Sequence, residues 1–575
     1  MGKVFERFTW HSFVFHISQI YLYMIAACIL IVAPVLLLGG SVGAFLLPAS
    51  FAAALLLTAA FYDGKPGKQF IFEILTAIIL MVIFAWFSAH IYDTSWDGND
   101  YHKLAVGLLK NGWNPIYQST EGQVMQSVVG VPSLQQATLW ADCYCKVTWF
   151  FASSIYVFTG NIESTKIYTL MIMACAFGFT YYYMKKAGKG TWACWIMSLA
   201  AMLNPIAVQQ LDSFYVDGFL HLVLYILVIT LMVTAKRSIV DLKVSGSLVA
   251  AGMIICGNIK FTGLMYGGVF CVVYYVWYVI NQFLDKNENR IKNSLIKCLE
   301  YAVLAIITVA WAGSSSYMTN LVNYKNPLYP LAGADKVDIM TRNTPFYEVN
   351  HLHNFMTSLF SRVDNFLLMN GDREPVLKMP FSVDLAYESL WGESVDPRLS
   401  GFGIFFSGLF IVSVIIIVIG LVRMKKDRDW VLWLLNLAVC GGLTLAITEN
   451  WWARYTPCLY FILLIAIYML LDTKRLLCNA LSGAMLIALV INNYMFVNTI
   501  PSQWGMSDYV SELIEAMNSR DGGVRVYSSY YPGIYFNLID NDVDYTIDET
   551  LADEPDAYNL AYNYTYQDML WKPCE

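Results

Sequence analysis

Long apolar segments recur along the whole chain and are separated by short polar loops. A helix needs about 20 predominantly apolar residues to cross the hydrocarbon core of a bilayer. Thirteen segments approach that length: residues 17–38, 43–62, 69–92, 165–184, 190–209, 217–235, 243–259, 261–282, 298–315, 401–423, 429–448, 453–471 and 476–497. The pattern predicts an all-α polytopic membrane protein with about 13 transmembrane helices.

Basic residues predict the orientation of these segments. One set of short loops carries 20 of the 36 Lys and Arg residues, and such loops are typically cytoplasmic. Thirteen spans put all of these loops on one side. A shorter apolar segment, 143–159, would invert part of that arrangement if it also crossed the membrane. We therefore expect 143–159 to be an interfacial helix in the first outer loop.

This orientation predicts two domains and a location. Residues 1–497 form the transmembrane domain, with large outer loops at 93–164 and 316–400. Residues 498–575 change in composition and predict a small extracytoplasmic α/β domain. Its segment 507–519 predicts a helix with Ser507 as N-cap, and 524–529 predicts a strand. The expected location is the plasma (cytoplasmic) membrane.

Composition agrees with a lipid bilayer as the main partner. Hydrophobic residues make up 57% of the chain and charged residues only 14%, whereas soluble proteins average about 45–50% and about 25%. The net charge is -7 and no basic stripe is present, so nucleic-acid binding is not expected. The phosphate-loop, serine-hydrolase and zinc-binding motifs are absent from the sequence.

The clearest chemical signal is W-D-G-N-D-Y-H, which begins at Trp96 just past the third apolar segment. A short helix starting at Asp97 would place Asp97 and Asp100 near its positive end, which favours ionised carboxylates. The same helix would put Tyr101 on one face. The alternative interpretation is ordinary helix capping by an aspartate. His102 beside these acids is equally typical of a hydrogen-bonded surface residue.

The same helix would direct an apolar face toward the membrane. Leu104, Leu108 and Leu109 follow at helical spacing. We expect these three leucines to rest on the bilayer surface.

Four further charged residues lie at predicted outer ends of spans. Asp212 and Asp217 occupy Q-Q-L-D-S-F-Y-V-D-G, and their alternative interpretation is a plain helix terminus in water. Lys260 lies at the tip of a predicted hairpin, and Arg454 follows two tryptophans. Arginine binds phosphate through two hydrogen bonds, and lysine supplies a point charge. The alternative for both cations is an extended side chain reaching lipid headgroups.

Several short motifs resemble those of the GT-C superfamily of polyprenyl-phosphate-sugar glycosyltransferases, which includes protein O-mannosyltransferases and the lipid A aminoarabinose transferase. The family's first outer loop carries Asp, a spacer and Tyr on an interfacial helix, which resembles D-G-N-D-Y-H-K-L-A with Asp97 and Tyr101. Other similar elements are L-N-P-I-A at 203–207, Y-V-D-G-F-L with Asp217, I-K-F-T-G with Lys260, K-N-P-L-Y-P at 325–330 and A-R-Y-T-P with Arg454. The last departs from the family spacing by one residue.

The resemblance covers roughly residues 70–470 and implies a mechanism. Asp97 would act as general base on an acceptor hydroxyl, and Arg454 with Lys260 would neutralise the departing lipid phosphate. Gly98 follows Asp97 where the family carries an acid, which leaves open whether Asp100 supplies the second carboxylate. Tyr101, His102, Asp212 and Asp217 would contribute to substrate binding. A divalent metal is compatible with these aspartates, and no other cofactor is implied.

The implied activity is transfer of a sugar, with inversion, from a polyprenyl-phosphate donor to an extracytoplasmic glycan, lipid or protein acceptor. Two alternatives remain open: a polymerase or ligase moving whole glycan chains, and a non-enzymatic transporter of lipid-linked sugars. The transferase hypothesis requires Asp97 and Arg454 to converge around one pocket that opens at the outer leaflet.

Overall fold

Most of the chain is helical, and ten of the described helices are long and apolar enough to cross a membrane. The computed structural model describes residues 9–121, 135–236, 239–337, 344–347, 350–367, 373–392, 394–528, 531–560 and 569–574. The ten helices are Trp10–Leu37, Lys68–Ala89, Glu163–Lys186, Asp217–Lys236, Leu242–Ile259, Phe261–Leu284, Arg290–Ala312, Phe406–Arg423, Arg428–Ala446 and Leu476–Asn518, the last with a break at Asn493. The protein is therefore a multi-pass helical membrane protein.

Burial separates central from peripheral helices. The first helix, Trp10–Leu37, has 72% of its most apolar window buried inside the protein, and Asp217–Lys236 has 78%. Lys68–Ala89 and Arg290–Ala312 have only 11% buried. Since apolar side chains on the peripheral helices would be unfavourable in water, these two helices face lipid.

Three predicted spans coincide with shorter helices: Leu46–Ala60, Thr191–Met202 and Pro457–Asp472. The predicted span 190–209 is divided because the Asn204 side chain accepts hydrogen bonds from the amides of Ile206 and Ala207 and starts a new helix. Pro205 also disfavours helical geometry in the residue before it, Asn204. The number of long helices is thus smaller than the thirteen apolar segments suggest.

Shorter elements connect the long helices. The α-helical ones are Lys103–Lys110, Gln135–Cys143, Val147–Thr159, Pro205–Gln209, Thr319–Tyr324, His351–Leu359, Leu385–Gly392 and Ile534–Asp540. The 3-10 turns are Glu163–Ile167, Ala453–Tyr455 and Glu549–Asp553, and π-helical turns are Gly98–His102, Ile307–Ala312 and Ser314–Met318.

Ion pairs join the short basic loops to one another. Lys236 lies 3.0 Å from Asp429, and Lys186 lies 2.8 Å from Asp63. Arg428 pairs in the same way with Asp285. These loops therefore share one end of the helix bundle, called the basic face below. The helix Asp217–Lys236 runs from the opposite end, called the site face, to this basic face.

The helices of the first loop bury their apolar faces in protein rather than in lipid. Leu104, Leu108 and Leu109 are buried within the protein, so the expectation that they rest on the bilayer surface is wrong. The helix Val147–Thr159 is likewise buried from Val147 to Tyr156, packed against Trp10–Leu37 and Lys103–Lys110. Both apolar faces meet protein rather than lipid because a neighbouring helix covers each of them.

The C-terminal region begins with a helix that crosses the predicted boundary at 498. Tyr494–Asn518 is continuous, so Ser507 is interior to it and the predicted N-cap is wrong. Instead the Ser507 hydroxyl accepts a hydrogen bond of 2.8 Å from the Tyr92 amide. This bond ties the helix to the first loop.

A four-stranded sheet of order β2-β1-β4-β3 follows this helix. The strands are β1 Val524–Tyr527, β2 Tyr545–Ile547, β3 Tyr558–Asn559 and β4 Leu570–Pro573. β1 pairs in parallel with β2 and antiparallel with β4, and β3 pairs antiparallel with β4. The helix Ile534–Asp540 connects β1 to β2 and packs on the first loop.

Candidate active site at the site face

Arg454 lies at the centre of a charged cluster that joins four distant parts of the chain. Its Nη2 atom is 3.0 Å from Asp97 Oδ2, and its Nη1 atom is 2.9 Å from Asp396 Oδ2. Its Nε atom is 3.1 Å from Asp217 Oδ2. The predicted approach of Asp97 and Arg454 is therefore confirmed.

The local sequence places Arg454 rigidly. It occupies a 3-10 turn, Ala453–Tyr455, directly before the helix Pro457–Asp472, whose proline stands at the first helical position. A proline there has the dihedral angle that a helix start requires. Arg454 is consequently fixed at the site-face end of that helix.

Lys260 completes the cluster from a different pair of helices. It stands in an extended conformation between Leu242–Ile259 and Phe261–Leu284, at the tip of their hairpin as predicted. Its ammonium pairs with Asp217 Oδ1 and lies 4.7 Å from the centroid of the Tyr455 ring. Lys260 is buried, so it does not extend to lipid headgroups.

Asp97 directs its carboxylate away from its own helix. It occupies the N-cap position of the Gly98–His102 turn but makes no side-chain capping hydrogen bond. Its carboxylate instead pairs with Arg454. At 21% exposure, the Asp97 side chain is more accessible than those of Arg454, Asp217, Lys260 and Asp396, all below 10%. Among the cluster's members, Asp97 is therefore the carboxylate most open to a substrate.

Asp93 holds this turn in place rather than facing substrate. Its Oδ1 atom accepts a bond of 2.8 Å from the Ser95 amide, and its Oδ2 atom accepts one of 2.9 Å from the Phe214 amide. A Cβ atom on Gly98 would lie 1.9 Å from Asp93 Oδ2, so only glycine fits there. Gly98 thus allows the close packing that aims Asp97 at Arg454.

Asp100 lies beside Asp97 but in a different electrostatic state. Burial, and secondly the charge of Asp97, raise the pKa of Asp100 well above its usual range. Within the described ranges, its carboxyl group has no ion-pair or hydrogen-bond partner. A neutral Asp100 can donate a hydrogen bond, which an ionised carboxylate cannot do.

Tyr101 and His102 pack beneath the two carboxylates. Trp149 Nε1 donates a 2.7 Å hydrogen bond to His102 Nδ1, and burial lowers the pKa of His102 to about 3. His102 is therefore neutral, with its proton on Nε2. The Tyr101 ring lies 4.4 Å from the His102 ring and 6.1 Å from that of Tyr144. Both residues support the turn.

Asp212 lies apart from the Arg454 cluster. Its electrostatic neighbours are Lys166, Asp93 and Glu163, and burial raises its pKa to about 6. Within the described part of the chain, its Oδ2 atom has no hydrogen-bond partner. Of the predicted substrate-binding residues, Asp212 is the one that the fold does not bring to Arg454.

Aromatic rings enclose the guanidinium of Arg454. Its Cζ atom lies 4.8 Å from the ring centroid of Tyr215 and 4.7 Å from that of Trp452. Trp452 Nε1 donates a 2.8 Å hydrogen bond to Asp396, and the Cζ atom of Arg398 lies 3.8 Å from the centroid of the Trp452 ring. Low-polarity rings strengthen the charge interactions that they surround.

Sequence reasoning missed Asp396, Arg398 and Tyr215. Asp396 and Arg398 belong to D-P-R, just before the apolar segment 401–423, where an acid and a base at a span edge could have indicated them. Tyr215 lies between the two predicted aspartates of the 209–218 segment. Its aromatic side chain alone gave no signal.

A second polar cluster lies under the turn and includes the C-terminal region. Glu163 pairs with Lys103 and, at 2.7 Å, with Lys166. Asn537 donates to Glu163 Oε1 at 3.0 Å and accepts from Lys103 at 3.0 Å. The Gly533 amide donates a 2.8 Å bond to the Asn99 carbonyl. The C-terminal region therefore contacts the turn that carries Asp97.

Two cavities lie among the described residues. One, of about 20 Å³, is lined by Asn450, Trp451 and Ala453 and has room for about one water molecule. Another, of about 130 Å³ and mainly apolar, is lined by Tyr183 and Lys236 nearer the basic face. A pocket enclosing both Asp97 and Arg454 stays a prediction.

The aspartates of the cluster converge on cations. Among the residues described, no three His, Cys, Asp or Glu side chains are grouped so that they could hold a metal ion. Asp97, Asp217 and Asp396 each face Arg454 instead.

Comparison with known proteins identifies no relative of this chain. No protein-family model, no curated protein and no solved structure matches the chain. The functional argument therefore depends on the charged cluster, its burial and its position at one end of the membrane helices.

Proposed function

We propose that this protein is a GT-C-type membrane glycosyltransferase. It transfers a sugar, with inversion, from a polyprenyl-phosphate donor to an extracytoplasmic glycan, lipid or protein acceptor. The observation that carries the proposal is the convergence of Asp97 with Arg454, Asp217 and Lys260 at the site face. A partly accessible carboxylate can act as a base, and buried cations beside it can stabilise a departing phosphate.

The proposal places the site face outside the cytoplasm. The short basic loops share the opposite end of the bundle and are joined by ion pairs such as Lys236 with Asp429. Such basic loops are retained on the cytoplasmic side of a plasma membrane. Since nucleotide sugars are cytoplasmic, a lipid-linked donor suits an enzyme with this orientation.

Asp97 acts as the general base. Its carboxylate takes the proton of an acceptor hydroxyl as that oxygen attacks the anomeric carbon of the sugar. The bond from the anomeric carbon to the phosphate oxygen breaks, and its electron pair leaves with the polyprenyl phosphate. A single displacement of this kind inverts the anomeric centre and needs no covalent enzyme intermediate.

Arg454 and Lys260 stabilise the phosphate as its charge grows. A guanidinium has five N–H groups, and at most three of those on Arg454 point at Asp97, Asp217 and Asp396. The others remain for phosphate oxygens. With Arg398 3.9 Å from Asp396, three cations face three carboxylates, so the site is close to neutral before a phosphate arrives.

Asp100 has a separate role in this mechanism. Burial, and then the charge of Asp97, raise its pKa well above the usual range, which favours the protonated form. The protonated carboxyl group donates a hydrogen bond to a sugar or phosphate oxygen next to the base. One of the two neighbouring carboxyl groups thus acts as the base and the other as a hydrogen-bond donor.

The test uses the full-length protein in lipid nanodiscs and a panel of short-chain polyprenyl-phosphate monosaccharides. Release of polyprenyl phosphate is followed by mass spectrometry, with and without hydroxyl-bearing acceptors. We expect wild type to consume at least one donor and Asp97→Asn to consume none. Asp542→Asn is the matched control, because Asp542 is exposed and its left-handed backbone also suits asparagine.

Two outcomes would count against the proposal. Equal turnover by Asp97→Asn and wild type would remove the base role from Asp97. Movement of an intact donor across proteoliposomes, without cleavage by wild type, would replace the transferase with a lipid-linked-sugar transporter. Release of chains of several sugars would instead favour the polymerase or ligase alternative.

A further inference from the structure

The segment from Val376 to Leu390 exposes an unusual number of large apolar side chains for a loop. Seven of them are between 39% and 76% exposed. They are Val376, Leu377, Met379, Phe381, Val383, Leu385 and Leu390. Water-facing loops do not normally carry so continuous an apolar surface, which marks contact with a membrane or another molecule.

Two of the three charged side chains in this segment point inward, and the third, Asp384, is 41% exposed and pairs with Arg362. Lys378 pairs with Glu388, and their side chains are only 3% and 0% exposed. Lys378 Nζ also donates a 2.8 Å bond to the Ile404 carbonyl, and Glu388 accepts one of 3.1 Å from the Val363 amide. A segment exposed to water normally shows the reverse arrangement, with charged side chains at the surface and apolar side chains buried.

The segment adjoins the site-face end of a transmembrane helix. A Cβ atom on Gly408 would lie 2.4 Å from the Phe381 ring, so that ring sits directly on the first turn of Phe406–Arg423. The same helix exposes Val414 and Ile415 farther along its length. The apolar surface of the segment is therefore continuous with a helix surface that faces lipid.

We infer that residues 376–390 are inserted into the outer edge of the lipid bilayer at the site face, as an interfacial anchor for this loop. The occupant of the apolar surface is the acyl-chain and headgroup boundary of the lipid. This assignment follows from the inward ion pair and from continuity with the membrane helix. It does not depend on the proposed transferase activity.

Backbone hydrogen bonds connect the anchor to the charged cluster. The Arg362 amide donates to the Val376 carbonyl at 2.8 Å, and the Leu399 amide donates to the Asp364 carbonyl at 2.9 Å. Residues 360–364 thus join the anchor on one side to the segment carrying Asp396 on the other. The anchor fixes the height of Asp396 relative to the bilayer.

The experiment places a dansyl-bearing amino acid at Met379 in the full-length protein. The control position is Tyr558, which is 56% exposed on β3 of the C-terminal sheet. Each protein is reconstituted, one copy per disc, in phosphatidylcholine–phosphatidylglycerol nanodiscs with either plain or brominated acyl chains. Aqueous iodide is titrated into each sample.

We expect the probe at Met379 to lose most of its fluorescence in brominated lipid and to be protected from iodide. The probe at Tyr558 should show the opposite pattern. Iodide quenching at Met379 equal to that at Tyr558 would overturn the inference, because it would mean that the segment is in water. Protection from both quenchers would also overturn it, since protein rather than lipid would then cover the surface.

A second probe position allows the test to be made if the protein with the probe at Met379 does not fold. Leu377 is 64% exposed on the same segment and should behave as Met379 does. If only one of the two probes contacts lipid, the segment is not inserted as a unit and the inference fails.

Discussion

The guanidinium of Arg454 lies 3.0 Å from the carboxylate of Asp97, although 357 positions separate them in the chain. The first long loop, which follows the helix Lys68–Ala89, supplies Asp97, and a turn before a late membrane helix supplies Arg454. The same guanidinium also forms ion pairs with Asp217 and Asp396. One residue therefore connects the segments that carry these three aspartates. This arrangement gives Arg454 a structural role in addition to its proposed role in phosphate binding.

Replacing Arg454 should destabilise the protein. Arg454→Ala removes one counter-charge from each of the buried carboxylates Asp217 and Asp396, and breaking a buried pair in this way costs about 3–5 kcal/mol. We expect Asp396→Asn to restore part of the loss in the double variant, because it removes a carboxylate charge that Arg454 neutralised. Thermal unfolding in detergent, followed by intrinsic fluorescence, measures both changes.

An exposed ion pair provides the control for that prediction. Arg428 lies 2.6 Å from Asp285, and both side chains are 51% exposed. Exposed ion pairs contribute about 0–1 kcal/mol to the free energy of unfolding. Arg428→Ala should therefore change the midpoint temperature of thermal unfolding little. Equal midpoints for Arg454→Ala and Arg428→Ala would contradict the structural role of Arg454.

Asparagine should be tolerated at position 100 better than at position 97. Asp100→Asn replaces a carboxyl group, whose raised pKa favours the protonated form, with an amide of similar shape that still donates a hydrogen bond. Asp97→Asn removes the proposed base, and loss of general base catalysis costs about 10²–10⁴-fold in rate. Turnover numbers with one donor under saturating conditions compare the two variants. Equal losses would show that Asp100, too, works as an ionised carboxylate.

The C-terminal region should be needed to position Asp97. A Cβ atom on Gly533 would lie 2.6 Å from Lys103 Cβ and 2.7 Å from the Asn99 carbonyl oxygen. We expect Gly533→Ala to displace the turn, to lower turnover and to cost about 1–3 kcal/mol of stability. Donor turnover and thermal unfolding are measured on the same preparation.

Gly505→Ala is the matched control in the same region. Gly505 lies in the helix Tyr494–Asn518, and a Cβ atom there would meet nothing within 4 Å. Because alanine favours helices, this variant should be unchanged or slightly more stable. Wild-type turnover in Gly533→Ala would show that the C-terminal contact does not position the turn.

Ionisation of Asp212 should lower the free energy of unfolding of the protein. Burial raises its pKa to about 6, from 3.8 in an exposed carboxyl group. The folded protein therefore binds this proton more tightly than the unfolded chain. The stabilisation from proton binding is fully present below about pH 4 and is lost as the pH rises through about 6.

Asp212→Asn should consequently be more stable than wild type at neutral pH, and the difference should disappear near pH 4. Thermal unfolding of both proteins across this range measures the difference directly, and Asp542→Asn shows the response of an exposed carboxylate. A destabilised Asp212→Asn at neutral pH would mean that the ionised carboxylate has a partner, as a substrate-binding role would require.

The sequence by itself determined the membrane architecture and four members of the charged cluster. Ten predicted spans correspond to long apolar helices, because burial in lipid requires a length of apolar sequence that is visible without a fold. Asp97, Asp217, Lys260 and Arg454 were found because each stands at the end of an apolar segment on the same predicted side.

Only the tertiary structure decided which side chains meet. Asp396 could not be assigned to Arg454 beforehand, since the path of the 316–400 loop depends on contacts rather than on a periodic pattern. The spacing of the three leucines after Asp97 predicts a membrane-facing surface, but the helices Val147–Thr159 and Ile534–Asp540 cover the helix Lys103–Lys110 that carries them. Apolar spacing specifies that a face is buried, and the packing of distant segments specifies whether protein or lipid covers it.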